Sequence, residues 1–483
     1  MRVTSKRKGR KVGRLIILFI ILITIQIGFG LLKNSIATLS STPIVDGEID
    51  TSRYVKLSML LVGPSSTEAI MDYKDSIAGL NNKLKDSINT NVEITFIPFD
   101  EMSREYPQIF NSKENYDVIY TSSKANPGYF KLVEQESFKE LDDLLPIYAK
   151  NIWQNINLDV WDDTKYKEKI YGIPLEDVKY RANSFIYRGD LLEKYEMEPL
   201  MSLEDMEEFM DNLLIDEVDI TPIGINESSA IRLYDMLVDL NADWIPAPGL
   251  PQSSLYLVSK SKDNITDILF PVFSNEFMEF AKEMKDWADK GYWQKEALVT
   301  DSVTNGSLEL GKDGSIFGNI FDYSNGFDNE KFKFFCFGEK NQKVIKESAA
   351  KNLLSINADS RHAERALMVI DAILNDQEFN DLITYGIQGE IIKNIKQKEM
   401  LDYYESISIE DPYAKFTFDA SAVEEEIRSV VRINSQYGIP ILLGKAGDPI
   451  AAVNEYREKL MAAGIQKIID AVKEQLKDFT FVY

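Results

Sequence analysis

Residues 55–99, VKLSMLLVGPSSTEAIMDYKDSIAGLNNKLKDSINTNVEITFIPF, pass from one hydrophobic period to another and back, and that alternation decides the fold. Val55–Val62 is a short apolar run of strand character. Ile70, Ile77, Leu80, Leu84 and Ile88 then recur at helical spacing, and Val92, Ile94 and Phe96 alternate with polar neighbours as a second strand does. A short helical stretch over residues 101–111 and a third strand over 116–120 complete β-α-β-α-β, the pattern of an α/β sheet with parallel strands and helices on both faces. Ligands of such sheets sit beyond the carboxyl ends of the strands, where loops and helix N-termini converge. Two loops are thereby nominated: Gly63-Pro64-Ser65-Ser66, and Thr121-Ser122-Ser123-Lys124-Ala125-Asn126. Both are rich in small polar residues that can bond hydroxyls, and the same residues also serve as turn formers and caps.

Working outward, residues 169–174 read as a strand leaving the first lobe and 184–187 as a strand entering a second. Residues 276–290 place Phe277, Phe280, Met284 and Trp287 on one helical stripe, closed by Gly291 as C-cap. Trp287 is thus expected in the core, and Trp293, past the cap, to be free to face a ligand. A turn followed by a strand is expected over 311–320, and further strands at 333–337 and 353–356. Asp359 and Ser360 cap a following helix that carries Ala366, Leu367, Ile370 and Leu374. One long helix, capped by Asp448 with Pro449 in its first turn, is expected to run through Val453, Leu460, Ile465, Ile468, Ile469, Val472 and Leu476 to the end of the chain.

Charge and the amino terminus set the compartment. Eighteen uncharged residues, 15–32, follow seven basic residues between Arg2 and Arg14 and precede Lys33. That length lies between a secretory h-region of roughly 15 residues and a membrane span of about 20, so a cleaved signal, cut after Ala37, and a retained anchor are both open. Basic residues stay on the cytoplasmic side, so everything after Lys33 faces outward. That outward part holds 46 Lys and Arg against 78 Asp and Glu, a formal net charge of −32. Such a chain repels phosphate, which excludes nucleic acid as a partner. Cys336 is the single cysteine, within the apolar Phe334-Phe335-Cys336-Phe337, and His362 is the single histidine. With no thiol cluster and no second imidazole, neither a disulfide nor a metal site is expected, and no cofactor is called for.

Several ordered segments together resemble the extracellular solute-binding proteins of bacterial ABC importers, in particular the large carbohydrate-type subgroup common in Gram-positive bacteria that carries a C-terminal extension. They are Tyr116-Asp117-Val118-Ile119-Tyr120-Thr121-Ser122-Ser123, residues 138–145 (FKELDDLL), Ile170-Tyr171-Gly172-Ile173-Pro174, and residues 187–192 (YRGDLL). In the second half they are Lys290-Gly291-Tyr292-Trp293, Glu364-Arg365-Ala366-Leu367, Tyr385-Gly386-Ile387-Gln388-Gly389, Phe416-Thr417-Phe418-Asp419 and residues 459–465 (KLMAAGI). Each is a weak signal, and their order along nearly all of the exported chain carries the resemblance.

The resemblance implies a periplasmic-binding-protein-like fold, two α/β lobes with mainly parallel sheets joined by a hinge. The expected division is a signal or anchor at 1–37, a linker at 38–53, lobe 1 from 54–175 with 308–350, and lobe 2 from 176–307 with 351–483. It also implies capture of an oligosaccharide or related solute in the interlobe cleft and delivery to ABC permease subunits. Sugars need flat rings for their apolar faces and carboxylates, amides or hydroxyls for their OH groups. The expected ligand-binding residues are therefore Ser122, Ser123 and Asn126 from lobe 1, Glu176 near the crossing, and Gln388 and Asp419 from lobe 2, with Trp293 and Tyr323 as stacking platforms. There are departures. Lys124 stands where the family often has tryptophan, Glu390, Ile391 and Ile392 stand where basic and aromatic residues are common, and no cysteine follows the apolar segment, so a lipoprotein anchor is not expected and the segment itself is the tether if there is one. A membrane-anchored sensor without a transporter is an alternative. A secreted glycoside hydrolase is another, needing two carboxylates about one bond, but 78 acidic residues always offer a pair such as Asp142 and Asp143.

Overall fold

β1 (Val55–Val62) is buried at every position except exposed Lys56 and half-buried Ser58, as a strand covered on both faces must be. The computed structural model describes residues 42–45, 48–63, 73–98, 101–111, 116–125, 127–175, 179–251, 254–261, 263–298, 307–321, 331–376, 379 and 395–479. β2 (Thr90–Ile97) runs parallel to β1 in register from Val55↔Thr90 to Val62↔Ile97, and β3 (Val118–Thr121) runs parallel on its other side with Met59 opposite Val118. The intervening helix Lys74–Ile88 buries Leu80 and Leu84 against them. It stops at Asn89 with φ 51°, a left-handed conformation that asparagine tolerates better than most residues.

β4 (Gly172–Pro174) ends the first passage through this lobe, and β5 (Lys179–Arg181) carries the chain across to the second. There β6 (Asn183–Arg188), β7 (Thr221–Gly224), β8 (Asp313–Asn319) and β9 (Phe332–Cys336) form a sheet of order β7-β8-β6-β9. β7 and β8 are parallel, and β6 is antiparallel to both neighbours. β10 (Val344–Glu347) crosses back, and β11 (Leu353–Ile356) inserts between β3 and β4, antiparallel to both, completing the order β2-β1-β3-β11-β4. After the helix Ile395–Ile407, β12 (Ser408–Glu410) adds a third strand where the chain crosses. The three crossing strands pair with one another: β10 is antiparallel to β5, with Ile345 opposite Arg181, and parallel to β12, with Val344 opposite Ser408. The lobes are thus joined through one small three-stranded sheet.

Two cores follow. The first holds β1 to β4 and β11 with Tyr129, Phe138, Trp161, Ala366, Leu367 and Ile370. The second holds Phe185, Tyr187, Phe209, Phe277, Trp287 and the C-terminal Val453, Ile465 and Leu476. A side cluster on the other face of the second sheet packs Ile186, Ile316 and Cys336 against Tyr404 from the helix Ile395–Ile407. Each large apolar side chain fully buried in these clusters contributes about 1.5–3 kcal/mol relative to exposure.

Three expectations are corrected. Residues 308–350 were assigned to lobe 1 and everything after 350 to lobe 2, yet β8 and β9 bond to β6, while β11 and the helix Ala363–Leu374 pack into the first core. A strand's own residues show that it is a strand, but its partner is chosen by packing across the whole chain. The single C-terminal helix is two, Pro449–Ala462 and Ile465–Lys477, broken at Gly464 with φ 88°; Asp448 does cap the first, accepting from Ala451 N at 2.8 Å. Asp359 and Ser360 lie three and two residues too early as caps: His362 is the residue before the helix, and Ser360 Oγ accepts from His362 N at 3.2 Å while donating to Asp117 Oδ1 at 2.7 Å. The helix at Asn275–Lys290 ends at Gly291 with φ 89°, with Trp287 in the core as its spacing requires.

Candidate functional site

The loop after β3 is tied down from both sides. Ser122 Oγ accepts from Lys124 N at 3.0 Å, Ser122 O accepts from Tyr129 N at 2.9 Å, and Ser123 N donates to Ala350 O, beside β11, at 2.8 Å. Ser122 and Ser123 are both buried, Ser122 making a turn with its own side chain. The hydroxyls of Thr121 and Ser123 are buried and lack a hydrogen-bond partner among the described residues, as does that of Thr417. Thr417 belongs to the segment whose Tyr413 and Phe416 sit in the second core, and it lies against this first-lobe loop. A Cβ on Gly128 would come 2.9 Å from Thr417 Oγ1 and 3.1 Å from Ser123 O, so only glycine permits the approach.

Next to that contact the lobes exchange charge. Lys124 Nζ lies 2.9 Å from Asp411 Oδ2, one residue past β12. The lysine side chain is 38% exposed. Burial alone would lower its pKa, but Asp411 and Glu347 outweigh burial and the nearby Arg181, and the ammonium is held above its usual range. Glu347 on β10 is an ion-pair partner of Lys351; burial would raise its carboxyl, and Lys351, Lys124 and Arg181 together hold it below the ordinary value. On β5, Arg181 Nη2 reaches Asp235 Oδ1 at 2.7 Å and also bonds the Tyr256 hydroxyl, and its Nε lies 3.6 Å from Asp239 Oδ1. On the far side of β10, Lys346 pairs with Glu410 at 3.2 Å and Glu405 at 3.6 Å. Charged residues of both signs therefore gather at the joint that forms the floor between the lobes: Arg181, Lys346, Glu347 and Glu410 on its strands, and Lys124, Lys351 and Asp411 in the loops beside them. It can hold a polar, uncharged solute by donors and acceptors of both kinds. Among the described residues no group of three or more His, Cys, Asp or Glu is placed to hold a metal ion.

Of the residues expected from sequence, the structure brings Ser122 and Ser123 to this floor. Asn126, Glu176, Tyr323 and Gln388 lie outside the described residues, as do residues 64–66 of the first nominated loop and residues 390–392. Trp293 is a correction: it is 2% exposed, packs on Trp287 with centroids 6.4 Å apart, and donates its Nε1–H to Leu443 O at 3.1 Å, so its ring faces the second core. Asp419 is exposed and builds a turn. Its carboxylate accepts from Ser421 N at 3.0 Å, and Gln475 bonds its backbone N and O, both at 2.8 Å. Those Ser421 bonds, with a smaller contribution from Lys131 across the gap, hold its carboxyl low. The residues that sequence reading missed are Arg181, Glu347, Lys351 and Asp411; only Lys124 stood out, as a lysine in place of tryptophan. A surface depression lined by Glu425, Arg428, Ser429 and Arg432 lies on the helix Glu424–Ile433, which packs on the C-terminal helices.

Comparison with known proteins agrees with this architecture. A family described as bacterial extracellular solute-binding protein matches residues 75–378, and a domain family of unknown function matches 412–481. A carbohydrate ABC transporter substrate-binding protein of Streptococcus pneumoniae is 20% identical over 455 residues, covering 83% of this chain and 87% of its own. Among solved structures, the N-glycan transport solute binding protein of Streptococcus pneumoniae superposes with a TM-score of 0.64 at 18% identity, over 88% of this chain and 99% of that one. The GacH receptor of Streptomyces glaucescens gives 0.52 at 14% identity, over 89% and 100%. At these identities the structural likeness establishes the fold.

Proposed function

The chain belongs to the bacterial extracellular solute-binding proteins, and from that premise we propose that it captures an oligosaccharide between its lobes and hands it to the permease of an ABC transporter. The observation that carries the reading is the three-stranded joint with its charged floor: a ligand lying on it touches both lobes only when they meet, which is the differential affinity that drives closure. Lys124, Glu347, Lys351 and Asp411 supply both donors and acceptors for sugar hydroxyls, and the buried hydroxyls of Thr121, Ser123 and Thr417 add further groups that gain a partner when ligand or water enters. Family members are binding proteins, and binding with release is the whole of the proposed task. Asn126, Glu176, Tyr323 and Gln388 remain proposed ligand contacts, and Asp419 is proposed to act at the rim.

The protein works on the outer face of the membrane in this reading, with residues 15–32 retained as its tether. The solved relative also exists in complexes with Man1GlcNAc and Man5GlcNAc, so mannose and N-acetylglucosamine oligosaccharides are the first probes. A thermal-shift screen of the purified outward part against such glycans tests the proposal. A ligand bound only by the folded state raises Tm as its concentration exceeds Kd. A Tm unmoved by every oligosaccharide, with movement for a different solute class, would reassign the ligand.

A further inference from the structure

The chain is already pinned where it enters the first lobe. Thr42 is buried, and its carbonyl accepts from the Tyr148 hydroxyl at 2.9 Å. Asp50 N donates to Pro43 O at 2.8 Å across the hairpin of Ile44–Val45 and Glu48–Ile49. Asn89 Nδ2 then holds Ser52 O at 2.8 Å, and Arg365 Nη1 holds Arg53 O at 3.3 Å. This anchorage lies at the end of the sheet where β1 and β2 begin. The loop after β3 lies at the opposite end, and the eight residues of β1 separate the two by about 23 Å.

Upstream, nine residues, 33–41, separate the apolar segment from Thr42, and such a length reaches at most about 35 Å even when fully extended. Around the point of entry the first lobe exposes three large apolar side chains: Ile44 at 50%, Tyr54 at 49% and Ile147 at 36%. Exposed Arg53, Lys85 and Lys150 lie beside them, together with exposed Glu48 and Asp86, so this end carries charges of both signs.

From the short leash, the docked hairpin and the exposed side chains we infer that this end of the first lobe rests on the lipid surface that residues 15–32 enter. The inference rests on the proposed retention of that segment. It presents the cleft to the medium, as capture requires. Three separate side chains make a contact that is readily broken, so the lobe can turn on its leash when the solute is handed over.

The test uses the full, uncleaved chain in vesicles of phosphatidylglycerol and phosphatidylethanolamine. Single cysteines at Ile44→Cys, Tyr54→Cys and Ile147→Cys are compared with Val218→Cys and Leu310→Cys in the second lobe, each carrying an environment-sensitive dye; native Cys336 is buried and stays unlabelled. Spin-labelled lipid should quench the first three at least twofold more than the other two. Equal quenching at all five sites, or none at the first three while the protein stays on the vesicles, overturns the inference. N-terminal sequencing of the protein from cells separates the two claims: a mature chain beginning near Thr38 removes the tether reading, whatever the vesicles show.

Discussion

Lys124 Nζ and Asp411 Oδ2 meet at 2.9 Å, and the two residues belong to different lobes. The lysine stands on the loop after β3 and the aspartate directly after β12, so the pair closes a short circuit through the joint. With the lysine 38% and the aspartate 12% exposed, the pair itself contributes on the order of 0–1 kcal/mol to stability. Lys124 is also a proposed ligand contact, and a hydrogen bond from a charged donor is worth about 1.5–3 kcal/mol. Lys124→Met is expected to leave the unfolding midpoint in denaturant nearly unchanged and to weaken ligand binding by about tenfold, about 1.4 kcal/mol. Titration calorimetry with the ligand found by the screen measures this, and unchanged affinity would place the pair outside the binding machinery.

Gly128 governs the neighbouring contact. An added methyl would stand 2.9 Å from Thr417 Oγ1 and 3.1 Å and 3.2 Å from the carbonyls of Ser123 and Ala125, so either the loop or the second-lobe segment must move. Gly128→Ala should weaken ligand binding several-fold and enlarge the radius of gyration of the ligand-free protein in solution scattering. Adding Thr417→Ser to Gly128→Ala removes a methyl but not the oxygen and should restore little.

Why part of this was legible and part was not follows from the physics of each signal. β1, the helix Lys74–Ile88 and β2 were readable because period and burial are local properties, as was the cap at Gly291, where the backbone needs positive φ. The homes of β8, β9 and β11 were not, since strand pairing is decided between residues far apart, such as Ser184 and Cys336. At the site, Ser122 and Ser123 could be nominated because they follow a parallel strand. Arg181, Glu347 and Asp411 could not, because each is an ordinary charged residue until three crossing strands lie side by side.

Lys343 stands at the entrance to β10, 3% exposed, donating to Val238 O at 2.7 Å and Trp244 O at 2.9 Å and also to Asn241 O. Burial pushes its pKa down from 10.5 to about 8, although Asp239 opposes the shift. The folded protein therefore releases this proton before the unfolded chain does. The cost of burying the charge is present in full below pH 8 and is relieved as pH rises towards 10.5, so this group adds stability with rising pH, by on the order of 1–3 kcal/mol. Lys343→Met lacks the term. The stability of wild type minus that of the variant should increase between pH 8 and 10 in denaturant titrations, and a constant difference would show that the lysine is not titrating in the folded state.

Glu283 and Glu207 both accept from Trp287 Nε1, at 2.9 Å and 3.0 Å, a placement that lets one proton bridge the pair. The hydrogen bond to Glu207, then burial, raises Glu283 to about 7, while that bond and Lys290 hold Glu207 near 2. A carboxyl raised in the folded state stabilises below its unfolded value of 4.5, and the benefit fades as pH climbs through 7. Glu283→Gln keeps a donor towards Glu207 at every pH. Its Tm relative to wild type should therefore rise between pH 5 and pH 8, as differential scanning calorimetry can follow. A difference independent of pH would mean that the two carboxylates do not share the proton.

Trp293 offers the sharpest separation of core from ligand platform. Sequence position favoured a ring facing the cleft, and the structure packs it against Trp287, with Nε1–H on Leu443 O at 3.1 Å. Phenylalanine keeps an aromatic face but cannot donate, leaving a buried carbonyl without that partner, a cost of about 1–3 kcal/mol together with some lost packing. Trp293→Phe should lower the unfolding free energy by that amount while the ligand Kd stays within twofold of wild type. A variant of normal stability whose affinity drops tenfold would return Trp293 to the cleft as a stacking platform and show that the bound state repacks the second lobe.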